Sequence, residues 1–338
     1  MSAPLVVKLG GDALATPERI AAAARHLAAR REAGAVVAVA SARRGVTDHL
    51  LGLVEQVRDA AGGAGRPGAD GLASADRAVA SGEIVSASLL AVALDRLGIP
   101  ATAVDAREAG LGSDAHAGRA RLTRVRPARI QALLAHGILP VVAGFQGWHR
   151  GRTTTLGRGG SDTTAVALAA ALGAEACELV KDAPGLLDAD PRLVPSARLL
   201  PRVSHRFVTE LAGSGAKVMH HPAASLAERT GLTLRFVPLV AGATAGTVVE
   251  RGPAGAGAAA IAVRHGRCRF TARLTDAPAR ELARRVRERS EAAGLHPDVS
   301  LRRETGGAWL DLVVDAAELD DCLDAASALL AGHIQPGL

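Results

Sequence analysis

The stretch "VVKLGG", residues 6–11, is an apolar run that ends at one lysine and a pair of glycines. Two adjacent valines favour a strand over a helix, and the run is too short to span a membrane. Gly10 and Gly11 let the chain turn sharply and bring backbone N–H groups close to a ligand. Two interpretations follow: a phosphate held by Lys8 and the glycine backbone, or a tight turn beside a surface lysine.

Beyond this first strand, helical segments alternate with short apolar strands. The predicted helices are 17–34, 82–98 and 126–137, and the predicted strands are 35–42, 100–106 and 138–145. Such alternation predicts βαβ units around a parallel sheet. The glycine- and proline-rich stretch 61–71 is predicted to be an exposed loop inside this domain, and 249–260 is predicted to be a linker.

The pattern changes after the linker. The order predicted from Ile261 is strand, helix 277–293, strand 299–304, strand 308–314 and helix 316–331. This βαββα order resembles a small ferredoxin-like α+β module. The predicted domains are therefore 1–250 and 259–338.

Composition narrows the classes of function. The 338 residues are 48% hydrophobic and carry a net charge of +6, with no tyrosine, two tryptophans and four phenylalanines. Because so few aromatic side chains could stack on bases, the positive charge does not predict nucleic-acid binding. The three cysteines are too far apart for a zinc site and odd in number, so they are predicted to be thiols. With no leader and no long apolar span, the prediction is a cytoplasmic protein without membrane contact.

The strongest chemical signal is "GRTTTLGRGGSD", residues 151–162, ahead of an apolar helix. Free N–H groups at a helix start, preceded by two glycines, form a site for an anion. Arg158 adds a planar fork that can bind a carboxylate or phosphate through two hydrogen bonds. Ser161 or Asp162 is predicted to cap the helix.

Six motifs in order resemble those of the aspartokinases, within the amino acid kinase family. They are "VVKLGG", "SARRGVTDHL" (41–50), "SGEIVSASLL" (81–90), "GRTTTLGRGGSD", "DAPGLLDADPR" (182–192) and "GAKVMHHP" (215–222). The resemblance implies an αβα sandwich with a mainly parallel central sheet, followed by an ACT-like module. It also implies a kinase that uses ATP and Mg²⁺ on a small amino acid, and a homodimer.

The resemblance also assigns roles to individual residues. The implied catalytic residues are Lys8, Asp162 and Lys217. The implied substrate-binding residues are Ser41, Thr47, Glu83, Arg158 and Ser161, with Arg158 on the α-carboxylate and Glu83 or Asp162 on the α-ammonium or orienting the lysines. The implied nucleotide-binding residues are Gly10, Gly11, Lys181, Asp182, Leu187, Arg192 and Lys217. No separate protein metal site is implied.

Departures from the aspartokinase pattern leave alternatives open. Asp12 and Ala13 replace a usual hydroxyl pair after the glycines, while Lys181 and Leu187 replace a usual threonine and tyrosine on the nucleotide side. If Asp12 faced the acceptor, it would repel a carboxylate by about 4 kcal/mol at about 4 Å and an effective dielectric constant of about 20. The hypotheses are a kinase acting on the β-carboxylate of aspartate, a kinase of another amino acid or hydroxyl acceptor, and a weakly catalytic amino-acid sensor.

Overall fold

The computed structural model describes residues 3–62, 67–188, 197–213, 216, 218–239, 246–252, 259–264, 267–274, 298–304 and 307–314, with Arg284 and Glu288. The chain forms two compact units. The first contains Met1–Pro184 and Leu232–Ala245, and the second contains Gly185–Gly231 and Gly246–Leu338. The predicted division into 1–250 and 259–338 stays a prediction.

The first unit is built on a parallel sheet with helices on both faces. Its strands are β1 (Leu5–Leu9), β2 (Val36–Ala40), β3 (Ala101–Val104), β4 (Leu111–Ser113), β5 (Leu122–Val125), β6 (Leu139–Ala143), β7 (Gln146–His149), β8 (Arg152–Thr155), β9 (Ala176–Lys181) and β11 (Leu234–Pro238). Its helices are α1 (Pro17–Ala33), α2 (Val46–Ala61), α3 (Ala69–Asp95), α4 (Ala128–Ala135) and α5 (Gly160–Leu172). Within this unit the main sheet runs β11-β9-β1-β2-β6-β3, with every neighbouring pair parallel.

The side chains of β1 alternate between the apolar core and the candidate site. Val7 and Leu9 are fully buried in an apolar cluster with residues of α1 and α3. Because side chains alternate between the faces of a strand, Lys8 lies on the other face, where α5 packs. The predicted αβα layering is therefore confirmed.

Helix α3 is much longer than predicted. It begins after Gly68 rather than near Gly82, and residues 69–71, predicted to be loop, form its first turn. The intervening residues are mainly alanine, serine and leucine and contain no proline, so Gly71 alone disfavours a helix there. By length and composition alone α3 could cross a membrane, but core helices meet the same test, and α3 packs on β3, β6 and β8.

A second, smaller sheet in this unit was not predicted. Its strand order is β5-β4-β7-β8, and only the β4–β7 pair is parallel. Strand β8 covers Arg152–Thr155, within the stretch interpreted from sequence as a binding loop. Strand β8 of this sheet leads directly into α5, and the start of α5 belongs to the candidate site.

A buried ion cluster joins α1 to the central sheet. Glu178 on β9 and His26 on α1 are each 1% exposed, and His26 Nε2 lies 2.6 Å from Glu178 Oε1. Arg30 Nε donates to both carboxylate oxygens of Glu178, at 3.1 and 3.0 Å. The neighbouring Cys177 is a buried free thiol, as predicted, and burial raises its pKa.

In the second unit the described residues form a pair of parallel strands, two helices and an antiparallel sheet. The elements are β10 (Arg202–Ser204), α6 (His205–Gly213), α7 (His221–Thr230), β12 (Thr247–Glu250), β13 (Ala259–Arg264), β14 (Arg267–Leu274), β15 (Asp298–Glu304) and β16 (Gly307–Val314). Strands β10 and β12 pair in parallel. The remaining four strands form an antiparallel sheet in the order β13-β14-β16-β15.

The antiparallel sheet contains two of the strands predicted after residue 260 and one strand more than was predicted. The strands predicted at 299–304 and 308–314 are present as β15 and β16, but two strands, β13 and β14, occupy the stretch from which one was predicted. The linker predicted over 249–260 overlaps the end of β12 and the start of β13. The helices predicted at 277–293 and 316–331 lie outside the described residues, apart from Arg284 and Glu288.

Candidate active site

The turns after β1 and β2 meet the start of α5 at one edge of the central sheet. Lys8 is 7% exposed, and its Nζ lies 2.7 Å from Asp162 Oδ1 in the first turn of α5. Asp162 is itself 5% exposed. Two predicted catalytic residues are thus brought together, and the carboxylate offsets the cost of burying the ammonium.

The glycine pair serves two different purposes. A Cβ at Gly11 would lie 2.7 Å from the carbonyl oxygen of Ala42, which is too close for any side chain. Arg44 N also donates to Gly11 O at 3.1 Å, so the two turns are in backbone contact. A Cβ at Gly10 would instead lie 3.7 Å from Lys8 Nζ. The sequence argument that glycine allows close approach is correct, but at Gly11 the approaching group is protein backbone.

A cavity of about 650 Å³ opens beside this pair of turns. The predicted site residues that line it are Lys8, Ser41, Thr47, Glu83, Arg158, Ser161 and Asp162. They come from four separate segments of the chain. All five predicted substrate-binding residues therefore share one cavity with two predicted catalytic residues.

Glu83 is the buried carboxylate of this cavity. It is 3% exposed, and its Oε1 accepts a hydrogen bond of 3.1 Å from Ala42 N. Within the described part of the chain its Oε2 is buried and has no hydrogen-bond partner. Desolvation raises the pKa of Glu83 to about 7, against the opposing effect of the Ala42 N–H. A cationic group in the cavity would pair with this oxygen and favour its ionised form.

Arg158 lies on the turn that leads into α5. Gly157 and Gly159 flank it with φ values of +74° and +68°, which favour glycine. Gly159, not Ser161 or Asp162, precedes the first helical residue, and no side chain caps the helix. The predicted cap is wrong because the Asp162 carboxylate pairs with Lys8 instead. The exposed Arg158 guanidinium and the uncapped helix start therefore present positive charge to the cavity.

The predicted nucleotide-side residues are less closely grouped. Lys181 ends β9 in the first unit, and burial lowers its pKa. Asp182 follows the strand and forms an ion pair with Arg19. Leu187 belongs to the second unit and forms an isolated β-bridge with Leu199. Arg192 and Lys217 lie outside the described residues, and their predicted roles stay predictions.

Asp12 does not occupy the position that its sequence neighbours suggested. Its carboxylate accepts a hydrogen bond from Arg44 Nε, and Asp12 is absent from the cavity lining. The pairing raises the pKa of the Arg44 guanidinium. The interpretation of Asp12 as a base or an acceptor contact is therefore disfavoured, because Asp12 does not line the cavity and its charge is paired with Arg44 at the cavity border.

Several charged residues that line the cavity were not predicted from the sequence, and Asp76 is the most buried of them. Asp76 lies on α3 seven positions before Glu83, two turns away on the same face. It is 6% exposed and accepts hydrogen bonds from Gly118 N, Thr155 N and Thr155 Oγ1 at 2.9 to 3.1 Å. Arg43 also lines the cavity. The i, i+7 spacing could have indicated Asp76, had α3 been extended to include it.

The chain belongs to the amino acid kinase family, since the model of that family matches residues 3–238. Within the family it is similar to aspartokinases. It is 41% identical to the aspartokinase of Thermus thermophilus over 232 residues, which cover 68% of this chain and 55% of that protein. It is 42% identical to the aspartokinase of Corynebacterium efficiens over 218 residues, covering 64% and 50%. The chain spans about half the length of these curated relatives.

Solved structures show the same fold. Aspartate kinase from Synechocystis has a TM-score of 0.62 and 29% identity, covering 98% of this chain and 56% of that one. Aspartokinase III from E. coli, in complex with aspartate and ADP, has a TM-score of 0.67 and 24% identity, covering 92% and 78%. The predicted family resemblance is confirmed.

Proposed function

We propose that this chain catalyses phosphoryl transfer from ATP to the β-carboxylate of aspartate, giving aspartyl phosphate and ADP. The observation that carries the proposal is the cavity that holds a buried carboxylate, Glu83, an exposed arginine, Arg158, and the Lys8–Asp162 pair. To bind an amino acid, a site needs a negative group for the ammonium and a positive group for the α-carboxylate. The similarity to aspartokinases supports aspartate as the acceptor.

The chemistry follows from the charges of the site. A carboxylate oxygen of the acceptor forms a bond to the γ-phosphorus of ATP, while the bond from that phosphorus to the β–γ bridging oxygen breaks and ADP leaves. Because a carboxylate is already ionised at neutral pH, no general base is required. Phosphoryl transfer mainly requires positioning and neutralisation of negative charge. Lys8, held by Asp162 beside Gly10, is the cation that we assign to the transferring group.

Magnesium is proposed to enter as part of the MgATP substrate. Among the described residues, no group of three or more His, Cys, Asp or Glu side chains could hold a metal ion. Mg²⁺ is usually held by substrate phosphates with one or two carboxylates, so a substrate-borne ion is compatible with this site. The ACT-like assignment of residues 259–338, dimerisation and a cytoplasmic location belong to the same proposal, and the antiparallel order β14-β16-β15 supports the first.

The test is an acceptor panel with two readouts. ADP release is coupled to a spectrophotometric assay with aspartate, homoserine, threonine, serine or glutamate, and acyl phosphate is trapped with hydroxylamine. We expect ADP and hydroxamate in equal amounts with aspartate. ADP release without hydroxamate would indicate a hydroxyl acceptor and overturn the proposal. Amino-acid binding without ADP release from any acceptor would support the sensor hypothesis instead.

A further inference from the structure

Two consecutive arginines follow β2 and have different surroundings. The Arg44 side chain is 69% exposed, and its Nε is bonded to the Asp12 carboxylate. Arg43 is partly buried and lines the cavity. Its Nε is buried and, within the described part of the chain, has no hydrogen-bond partner. One arginine is therefore paired at the cavity border, and its neighbour carries an unpaired donor at the cavity wall.

An unpaired buried donor is costly, so its presence at a cavity suggests a ligand. Removing a polar group from water without a hydrogen-bond partner destabilises the protein unless an acceptor arrives. A guanidinium is a planar donor that matches the geometry of a carboxylate. Two other cations that line the cavity already have partners: Arg58 pairs with Glu55 at 2.5 Å, and Lys8 pairs with Asp162.

Three charged side chains that line the cavity could each bind one charged group of an amino acid. Glu83 offers a buried carboxylate oxygen, and Arg158 and Arg43 each offer a guanidinium. An amino acid with a neutral side chain supplies one ammonium and one carboxylate, which would leave one arginine unpaired. An amino acid with an acidic side chain supplies a second carboxylate and satisfies all three.

We propose that Arg43 binds the side-chain carboxylate of the acceptor and sets the preference of this site for an acidic amino acid. The inference rests on the proposed function and assigns a specificity determinant within it. It also opposes the hydroxyl-acceptor hypothesis, because a hydroxyl group would leave the Arg43 charge uncompensated.

The test compares L-aspartate with L-asparagine, which has the same size and lacks the side-chain charge. Isothermal titration calorimetry measures the affinity of both for the full chain and for Arg43→Met. Hydrogen bonds to charged groups predict that the parent binds aspartate about 10-fold to 100-fold more tightly than asparagine. Arg43→Met should remove most of that preference and leave asparagine affinity within about threefold. Arg43→Lys, which keeps the charge and loses the fork, should retain part of it.

Arg44→Met is the matched control, because it removes the same charge one residue further on. It should leave the ratio of aspartate to asparagine affinity unchanged. An equal loss of affinity for both amino acids in Arg43→Met would overturn the inference, as would an equal loss of preference in Arg44→Met. Absence of any preference for aspartate in the parent chain would also overturn it.

Failure of the inference is distinguishable from failure of the proposed function. Hydroxamate formation by the parent chain, with an unchanged affinity ratio in Arg43→Met, would keep the function and remove the role of Arg43. Preference for aspartate that depends on Arg43, without ADP release, would keep the specificity determinant and remove the kinase activity. Circular dichroism of each variant checks that the fold is retained.

Discussion

The raised pKa of Glu83 makes the stability of this chain depend on pH in a defined direction. The pKa rises from an ordinary value of 4.5 to about 7. At about 1.4 kcal/mol for each pH unit, ionising this carboxyl in the folded chain costs about 3 kcal/mol. Between these two pKa values the folded state binds more protons than the unfolded state, so the free energy of unfolding falls as pH rises. The cost is absent below the unfolded value and fully present above about pH 7.

Replacement by Gln removes this titration and isolates its effect. Glu83→Gln should have nearly the stability of the parent at pH 4.5 and become more stable relative to it as pH rises. The relative gain should approach about 3 kcal/mol near pH 8.5, less the weaker hydrogen bond from Ala42 N–H to a neutral acceptor. Urea unfolding at half-unit pH steps, followed by circular dichroism, measures the difference in unfolding free energy.

A matched control uses an exposed carboxylate of the same cavity rim. Glu55→Gln, at a side chain 62% exposed, should not reproduce the pH-dependent gain. A difference between parent and Glu83→Gln that stays constant from pH 4.5 to 8.5 would refute the assignment of the titration to Glu83. The kcat/KM for aspartate should move in the opposite direction and rise with pH through about 7, since the ammonium requires the ionised carboxylate.

Three further substitutions test the remaining cavity residues, and a fourth tests the Asp12 assignment. Lys8→Ala should lower kcat by at least about 100-fold with a smaller change in KM, because its charge matters most as phosphoryl transfer proceeds; a changed KM for ATP with unchanged kcat would contradict this. Arg158→Lys should raise KM for aspartate about 10-fold through loss of the fork, whereas equal turnover of an α-carboxamide analogue by the parent would exclude the assigned contact. Asp12→Thr should leave the ratio of kcat/KM for aspartate and homoserine within about twofold, as most exposed substitutions are mild; an increased ratio would return Asp12 to the acceptor pocket. Asp76→Asn, which replaces one acceptor oxygen by an NH₂ group that faces the Gly118 and Thr155 donors, should lower the free energy of unfolding by about 1 to 3 kcal/mol in urea titrations. An unchanged urea midpoint would show that these hydrogen bonds do not stabilise the fold.

The layered fold and most of the cavity could be predicted because their signals are local. Apolar strands such as β2 alternate with helices such as α1, and this alternation alone indicates a parallel sheet. Lys8, Gly11 and Arg158 belong to short motifs in which residue type and spacing specify the chemistry. Glu83, which the family resemblance had named as a substrate-binding residue, is more than 70 positions from Lys8 and from Arg158, and the structure places all three in one cavity.

The features that were not predicted depend on tertiary contacts between residues that are distant in the sequence. Asp12 pairs with Arg44, 32 positions away, and does not itself line the cavity, although Lys8 four positions earlier does. Asp162 was predicted to cap α5 but lies inside its first turn and pairs with Lys8, which is distant in sequence. The strands of the smaller sheet are short, and their polar residues are typical of loops. In each case a tertiary contact decides between two locally acceptable conformations.

The backbone contact between the turns after β1 and β2 has a consequence for exchanging parts between relatives. Gly11 tolerates no side chain because Ala42 O is too close, while Ala42 N is held by Glu83 and Ser41 N donates to Leu9 O at 3.1 Å. A chimera that takes only one of these turns from a relative would place two turns in contact whose backbones are not complementary. The two turns and the Glu83 segment of α3 should therefore be transplanted as one cassette, and acceptor specificity should follow the whole cassette rather than any single turn.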